Sequence, residues 1–460
     1  MVENKRVIVM GGGPAGTTAA ILLAKAGIEV LLFEKDQHPR YHVGESGILS
    51  LPFILQLLGV EETLIKRGFK KKGGVFFDWN HKWLINWGVT GDYTYHVDRA
   101  EFDHILLERA KELGVQVFEK TSIEEVLFEK KRPKGVIAKN KDSLKEYTCD
   151  HLIDASGRSA ILARKYFKSQ KPLAAFKNVA LWGYWLNAQT PQMLEGFEDV
   201  DGYTDQIENP IVISAIANGW IWGIPLHNKT LSVGVVLSQK YYDQIKKSKS
   251  KKEIYVDALK ESNVMTTLLK PAHLITEIKM TADWSYVTDK WAGDGYFIVG
   301  DAAVFIDPLL STGMTSAMLS AVTAAACIKE IYQEKIEPKI AYEFYADDYQ
   351  RRFWRLSFVI GALYSAKSHP EDLFHKTHSL TSRDLSGAAY QDIKRSFSSV
   401  ISGLEDLKEL QTADLQEIAG KRLRENFKHY INIIPKMPYL PRNQVELVFE
   451  PLGLSVNIEE

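Results

Sequence analysis

The glycine run near the amino terminus constrains this chain more than any other feature. Residues 5–10 form a short apolar run, and Gly11, Gly13 and Gly16 follow it with the spacing G-x-G-x-x-G. A helical pattern through Ala19, Leu22, Leu23 and Ala26 comes next, then a second apolar run from Glu29 to Phe33. Strand, glycine-rich turn, helix and strand are the opening unit of a parallel doubly wound sheet. In such a turn the first glycine permits the tight bend and the second lets backbone approach a pyrophosphate. The third lets the helix pack on the strand, while N–H groups of the first helical turn, from Ala15 onward behind the helix-starting Pro14, face negative charge. Glu34 ends the second strand, with Lys35 beside it, and is placed to accept hydrogen bonds from a ribose. A dinucleotide site is therefore expected, and the turn alone leaves NAD and FAD both open.

A chain of 460 residues is too long for one simple core. The helix near 100–113 and strands near 115–119 and 149–154 repeat the α/β style, and YFIVGDAA at 296–303 returns to it. Between them, 72–96 is rich in Trp, Phe and Tyr and reads as sheet. From about 170 to 290, runs such as VALWGYWL, GWIWGIP and LSVGVVL read as antiparallel sheet. The expected fold class is α/β: a Rossmann-like, discontinuous cofactor domain (1–75, 97–168 and 285–334) carrying an inserted, mostly antiparallel sheet domain (76–96 and 169–284). Residues 335–460 are expected to form a helical C-terminal region.

Composition removes several function classes. The net charge of -1 provides no field to gather nucleic acid or an anionic membrane. KKSKSKK at 246–252 is the one dense basic run and reads as a solvated loop. Cys149 and Cys327 are the only cysteines, far apart, which argues against a disulfide framework or a metal site and suits a cytoplasmic location. No secretory signal is expected at the amino terminus, and FVIGALYSA at 358–366 is too short to span a bilayer.

Later segments resemble known flavoproteins. VDRAEFD at 97–103 is similar to the helix start in glutathione-reductase-type flavoproteins of the para-hydroxybenzoate hydroxylase fold, and FIVGDAA at 297–303 to their Gly-Asp motif. The resemblance implies FAD, with Arg99 contacting it and Asp301 hydrogen-bonding its ribitol or ribose. The middle motif reads DASGRSA, with Ser156-Gly157-Arg158 where monooxygenases of this fold carry an Asp-Gly pair that helps dock NADPH. With one dinucleotide fingerprint in the chain, FAD is expected to arrive reduced from a separate NAD(P)H-dependent flavin reductase.

Four further segments resemble the flavin-dependent halogenases. Trp220, Trp222, Ile224 and Pro225 reproduce W-x-W-x-I-P, whose indoles would fill space around the flavin and exclude water. Phe305, Pro308, Ser311 and Gly313 match F-x-x-P-x-x-S-x-G. Backbone N–H groups of Thr312 and Gly313 would hold chloride or bromide, with Ser311, Pro308 and Met314 against the cofactor. Phe69, Lys72 and Gly74 fit F-x-x-K-x-G, making Lys72 the catalytic candidate and Lys70, on the same face of an extended segment, the alternative. PRYHVGES at 39–46 is similar to the phenol and carrier-protein branch, and it would place Arg40, Gly44, Glu45 and Ser46 at the flavin.

Tryptophan halogenases have a glutamate just before Ser-Thr-Gly, and here that residue is Leu310. The resemblance therefore implies an electron-rich phenol or pyrrole, free or tethered to a carrier protein, rather than free tryptophan. Reduced FAD, oxygen and halide would yield hypohalous acid, passed through a tunnel to Lys72. Three alternatives stay open: a geranylgeranyl-reductase-like flavoprotein, an aromatic hydroxylase and a flavin-binding sensor without chemistry. A homo-oligomer is equally open.

Overall fold

The computed structural model describes residues 5–79, 81–86, 92–173, 177–282, 285–365, 446–450 and 453–457. Strand β1 (Arg6–Met10), helix α1 (Pro14–Lys25) and strand β2 (Glu29–Phe33) form the opening unit. β1 pairs in parallel with β2 on one side and with His151–Asp154 on the other. The complete sheet runs Ala292–Gly293, Tyr296–Ile298, His151–Asp154, β1, β2, Gln116–Phe118, with only the Ala292–Gly293 edge antiparallel. Val7, Ile8, Val9 and Met10 are all buried, as expected of a parallel strand covered on both faces.

Helices close the sheet. Helix Arg99–Glu112 starts at Asp98, whose side chain accepts from the N–H groups of Ala100 and Glu101. Helix Gly313–Tyr332 packs along α1. By length and apolar composition it would suit a bilayer, yet most of it is buried in the protein core. Alanines and glycines at the α1 contact let the two backbones come close. Between Gln116–Phe118 and His151–Asp154 the chain forms an antiparallel meander, Thr121–Glu129, Arg132–Asn140 and Ser143–Thr148. Sequence reading did not anticipate it, because charged residues on its exposed face interrupt the apolar pattern.

The second sheet has eight strands. Asn178–Leu186, Thr230–Ser238, Gly219–Pro225 and Ile211–Ile216 follow one another antiparallel, and Gly74–Trp79 then joins Ile211–Ile216 in parallel. Period-two alternation divides its side chains between two cores. Trp220, Trp222, Ile224, Ile213 and Trp182 face the core shared with the parallel sheet. Ile221, Val212, Val233, Val235 and Leu181 face a second core. Helices Gln239–Ile245, Lys251–Lys260 and Asn263–Leu269 cover that second face, an addition to the expected sheet-only insert. The basic run 246–252 is exposed, but it is only partly loop: Ser250 caps helix Lys251–Lys260 in a capping box with Glu253.

Beyond residue 335 the described residues hold helix Pro338–Ser365 and a hairpin of Glu446–Glu450 with Gly453–Asn457. The hairpin departs from the helical expectation. FVIGALYSA begins in the last turns of the helix, with Val359, Ile360 and Leu363 buried, and residues 366–445 lie outside the described residues.

A β-carbon on Gly16 would stand 1.9 Å from the Gly11 carbonyl oxygen, a backbone atom with no room to yield. Gly16→Ala is expected to destabilise the protein by ~1–3 kcal/mol through overpacking and to weaken FAD binding. Thermal melting and flavin-fluorescence titration would check it; unchanged values in both would contradict the packing role.

Candidate active site

The parallel sheet and the tryptophan face of the second sheet enclose a cavity of about 620 Å³. Gly11, Gly13, Pro14, Ala15, Glu34, Lys35 and Arg40 line it, together with Gly44, Glu45, Ser46, Arg99 and Asp301. Trp220, Trp222, Pro308, Ser311, Gly313 and Met314 complete the set of expected residues on its wall. Gly16, Thr312 and Lys72 are not on that wall. Gly16 lies behind the turn, where it sets the approach of α1 to β1.

The turn has the features a dinucleotide needs. Gly11 has φ +112°, and a β-carbon there would lie 2.3 Å from the Ala155 carbonyl oxygen. Glu34 Oε2 accepts a 2.7 Å hydrogen bond from the Gly12 N–H, and Oε1 accepts from the Asp36 N–H at 2.9 Å. Arg40 reaches Glu34 at 3.7 Å and Asp103 at 3.3 Å. Arg99 pairs with Asp103 through Nε and Nη2, and Nη1 donates to the Val43 carbonyl at 2.8 Å. It thereby pins the 43–45 segment along the cavity edge. Burial raises the Asp301 carboxyl to about 6.

Glu45 is buried in the wall. Its Oε1 accepts from the Tyr184 hydroxyl at 2.6 Å, and the Ser232 hydroxyl also bears on the carboxyl. Burial raises this carboxyl to about 7. A buried carboxyl in the wall of a cavity of this size, beside a glycine turn shaped for pyrophosphate, fits a polar cofactor such as FAD.

The indoles are held firmly. Trp222 lies over Gly234 on the neighbouring strand, where a β-carbon would meet the ring at 2.0 Å. Trp220 Nε1 donates to the Tyr364 hydroxyl at 2.7 Å, and that hydroxyl donates to Asp307 at 2.9 Å. Asn178 also donates to Asp307, at 2.9 Å, and burial raises the Asp307 carboxyl to about 6. Nothing in the sequence connected Asp307 and Tyr364 to Trp220, because they meet only when helix Pro338–Ser365 docks on the sheet.

Ser311 adopts a left-handed conformation, φ +58°, uncommon for a residue with a side chain. It delivers Thr312 and Gly313 to the start of the 20-residue helix Gly313–Tyr332, where the first N–H groups have no intrahelical acceptor.

Lys72 occupies the short strand Lys71–Lys72, paired with Thr94–Tyr95. Alternation leaves Lys71 exposed, Lys70 half-buried and Lys72 1% exposed. Lys72 Nζ donates to Ser46 Oγ at 2.9 Å and to the Gly47 carbonyl at 3.0 Å. Burial lowers its pKa to about 7. Because Ser46 lines the large cavity, Lys72 is one hydrogen bond behind that wall. A second void of about 10 Å³, lined by Ile48, Val75, Phe77, Ile211, Leu309, Leu310 and Ser311, shares Ile211 and Ser311 with the large one. Its lining reaches Ile48 and Val75, close in sequence to Gly47 and Lys72. Among the described residues no group of His, Cys, Asp and Glu is arranged to hold a metal ion.

These features define an FAD-binding flavoprotein, and residues 4–356 match the family model described as FAD binding domain. The chain is 39% identical over 432 residues to a tryptophan 2-halogenase of Chondromyces crocatus, covering 92% of this chain and 80% of the relative. It is 35% identical over 357 residues to the flavin-dependent halogenase gsfI of Penicillium aethiopicum, covering 71% of this chain and 65% of that relative. The solved myxobacterial chondrochloren halogenase CndH superposes with a TM-score of 0.73 at 25% identity, over 98% of this chain and all of the other. The chain belongs to the flavin-dependent halogenases. It is an FAD-dependent enzyme that uses halide to halogenate an aromatic substrate, which sets aside the reductase, hydroxylase and sensor alternatives.

The buried ammonium of Lys72 predicts a pH signature. Between about pH 7 and about 10 the unfolded chain binds the Lys72 proton more tightly than the native one, so stability from this group rises with pH. Lys72→Met should therefore be more stable than the wild type at and below pH 7, by up to a few kcal/mol, with the advantage shrinking toward pH 10. Urea unfolding across that range measures it, and a constant difference would contradict the shifted lysine. Tyr364→Phe leaves the Trp220 N–H and Asp307 each short of a partner and should cost ~1–3 kcal/mol in the same assay.

Proposed function

We propose that this chain oxidises halide at the Ser311–Gly313 turn and delivers hypohalous acid to Lys72, beside which a phenol or pyrrole is halogenated. The observation that carries this reading is the buried Lys72, held by Ser46 and the Gly47 carbonyl one hydrogen bond from the cavity wall. Bound reduced FAD, with oxygen and halide, supplies the hypohalous acid. On this reading the segments 1–75, 97–168 and 285–334 carry the cofactor, and the tryptophan-faced sheet carries the substrate.

The residues divide the work. The Gly11–Gly16 turn with Pro14 and Ala15 seats the pyrophosphate, and Glu34 with Lys35 and Arg40 holds the adenosine end. Gly44, Glu45, Ser46, Arg99, Asp301, Pro308 and Met314 surround the flavin end. Thr312 and Gly313 N–H groups bind chloride or bromide. Trp220 and Trp222, locked by Tyr364 and Gly234, exclude water and substrate from the oxidising centre.

The small void has room for about one water-sized molecule, and its side chains are apolar apart from Ser311. Such a passage favours neutral hypohalous acid over ions. With a pKa of about 7, Lys72 exists in both protonation states at neutral pH. As ammonium it hydrogen-bonds the hypohalous acid. As amine it gives up N–H for N–halogen with release of water, and the halogen then exchanges for the aromatic proton. Lys70 is the reserve, half-buried and with its pKa also lowered by burial.

Leu310 lines the void where a carboxylate would assist a less activated ring, so a phenol or pyrrole, free or carrier-bound, suits the site. The relative named a tryptophan 2-halogenase makes indoles a necessary comparison. A separate NAD(P)H-dependent flavin reductase supplies reduced FAD, and a cytoplasmic location agrees with two buried free thiols.

The test is an aerobic assay with a flavin reductase, NADH, FAD and bromide or chloride over phenols, pyrroles and indoles, read by mass spectrometry for halogen isotope doublets. Lys72→Ala is expected to lower product by at least ~100-fold while FAD binding persists. Undiminished doublets in Lys72→Ala would transfer the role to Lys70, and hydroxylated products alone would sink the proposal.

A further inference from the structure

Oxidation of halide by reduced flavin consumes protons. Reduced flavin anion, O2, halide ion and two protons give oxidised flavin, hypohalous acid and water, so each turnover must bring two protons into the cavity. Water is the ordinary carrier, and the packed indoles Trp182, Trp220 and Trp222 restrict it on this side. A path made of protein groups meets the requirement without admitting bulk solvent.

One such path is present. Glu45 lines the cavity, and its Oε1 is 2.6 Å from the Tyr184 hydroxyl. That hydroxyl is 3.1 Å from the hydroxyl of Tyr41, which lines the same cavity and is 47% exposed. The Trp182 indole N–H donates to the Tyr41 oxygen and fixes its place. Each tyrosine has one O–H. With Glu45 ionised, Tyr184 donates to Glu45 and Tyr41 donates to Tyr184, so both protons point inward. With Glu45 protonated, the same oxygens support the reverse order, Tyr184 donating to Tyr41.

We infer that Tyr41, Tyr184 and Glu45 form a proton relay along the cavity lining, from the exposed Tyr41 to the buried Glu45, and this rests on the halogenase reading above. The surrounding charges suit the task. Burial dominates at Glu45 and brings it to about 7, Asp98 adds to the rise, and Arg99, Tyr184 and Ser232 oppose it. Glu45 therefore takes and gives a proton near neutral pH. Burial also raises the hydroxyls of Tyr41 and Tyr184, with Glu45 adding to both, so the tyrosines pass protons while remaining neutral. Lys279 Nζ stands 4.2 Å from the Tyr41 ring centroid at the outer end.

Two variants and two readouts test the relay. Glu45→Gln preserves shape but cannot carry a proton, and Tyr184→Phe preserves the ring but removes the middle oxygen. Difference infrared spectroscopy of the FAD-loaded protein should show a protonated-carboxyl band that titrates near neutrality. The band should vanish in Glu45→Gln and shift in Tyr184→Phe. In a single turnover of reduced FAD, oxygen and bromide, hypobromous acid is trapped by an added phenol. Both variants should form it ~100-fold more slowly at neutral pH and above, with a small weak acid restoring much of the Glu45→Gln rate. If the wild type forms hypobromous acid and both variants match its rate and pH profile, the relay is overturned and the halogenase reading stands. A carboxyl band titrating in the ordinary carboxylate range also overturns the relay. If the wild type binds FAD but forms no hypobromous acid, both fall.

Discussion

The rest of this structure depends on how closely α1 approaches the turn that precedes it. The Gly11 carbonyl lies where a β-carbon on Gly16 would stand, and the Ala155 carbonyl lies where one on Gly11 would stand. These two contacts fix β1, α1 and the end of strand His151–Asp154 into one rigid corner. From that corner the cavity opens, with Glu34 tied to the Gly12 N–H on one side and Arg99 pinning residues 43–45 on the other. Helix Gly313–Tyr332 packs along α1, so the Ser311–Gly313 turn is placed by the same close contact.

The second sheet acts as a partition. Its alternation sends Ile221 and Val235 into a core covered by three helices, and Trp220, Trp222 and Ile213 toward the cofactor side. A sheet anchored on its outer face can present large rigid side chains on its inner one without folding around them. Trp222 uses the space left by Gly234, and Trp220 hangs from Tyr364 and Asp307. The indoles are thus fixed by the neighbouring strand and by helix Pro338–Ser365, which suits the volume-filling role proposed for them. Lys72 sits behind Ser46 on the cavity wall, and the cost of burying it is what tunes its ammonium toward neutrality.

Much of this was legible from the residues. The glycine spacing, Glu34 and the buried apolar strands required a parallel sheet with a dinucleotide turn. The alternation of Lys70, Lys71 and Lys72 between inside and outside was readable as soon as the segment was taken as extended. Other elements were not. The meander at 121–148 carries too many charges on its exposed face to declare itself. The three helices at 239–269 follow a strand-rich stretch, and their apolar faces became distinct only against the sheet they cover.

The sequence by itself determined the local matters: where backbone must bend tightly, which faces of each strand are apolar, and which motifs bring a halogenase cofactor and lysine into one chain. These are set by short-range sterics and by the periods of strand and helix, so they can be read a few residues at a time. Only the tertiary structure decided the partnerships across long separations. Tyr184 meets Glu45 from 139 positions away, Tyr364 meets Trp220 from 144, and Lys72 reaches Ser46 across 26. Those contacts, and the pKa shifts that burial imposes on Glu45 and Lys72, exist only once the two sheets close on each other. Desolvation is a property of the packed interior, and no stretch of sequence has it alone.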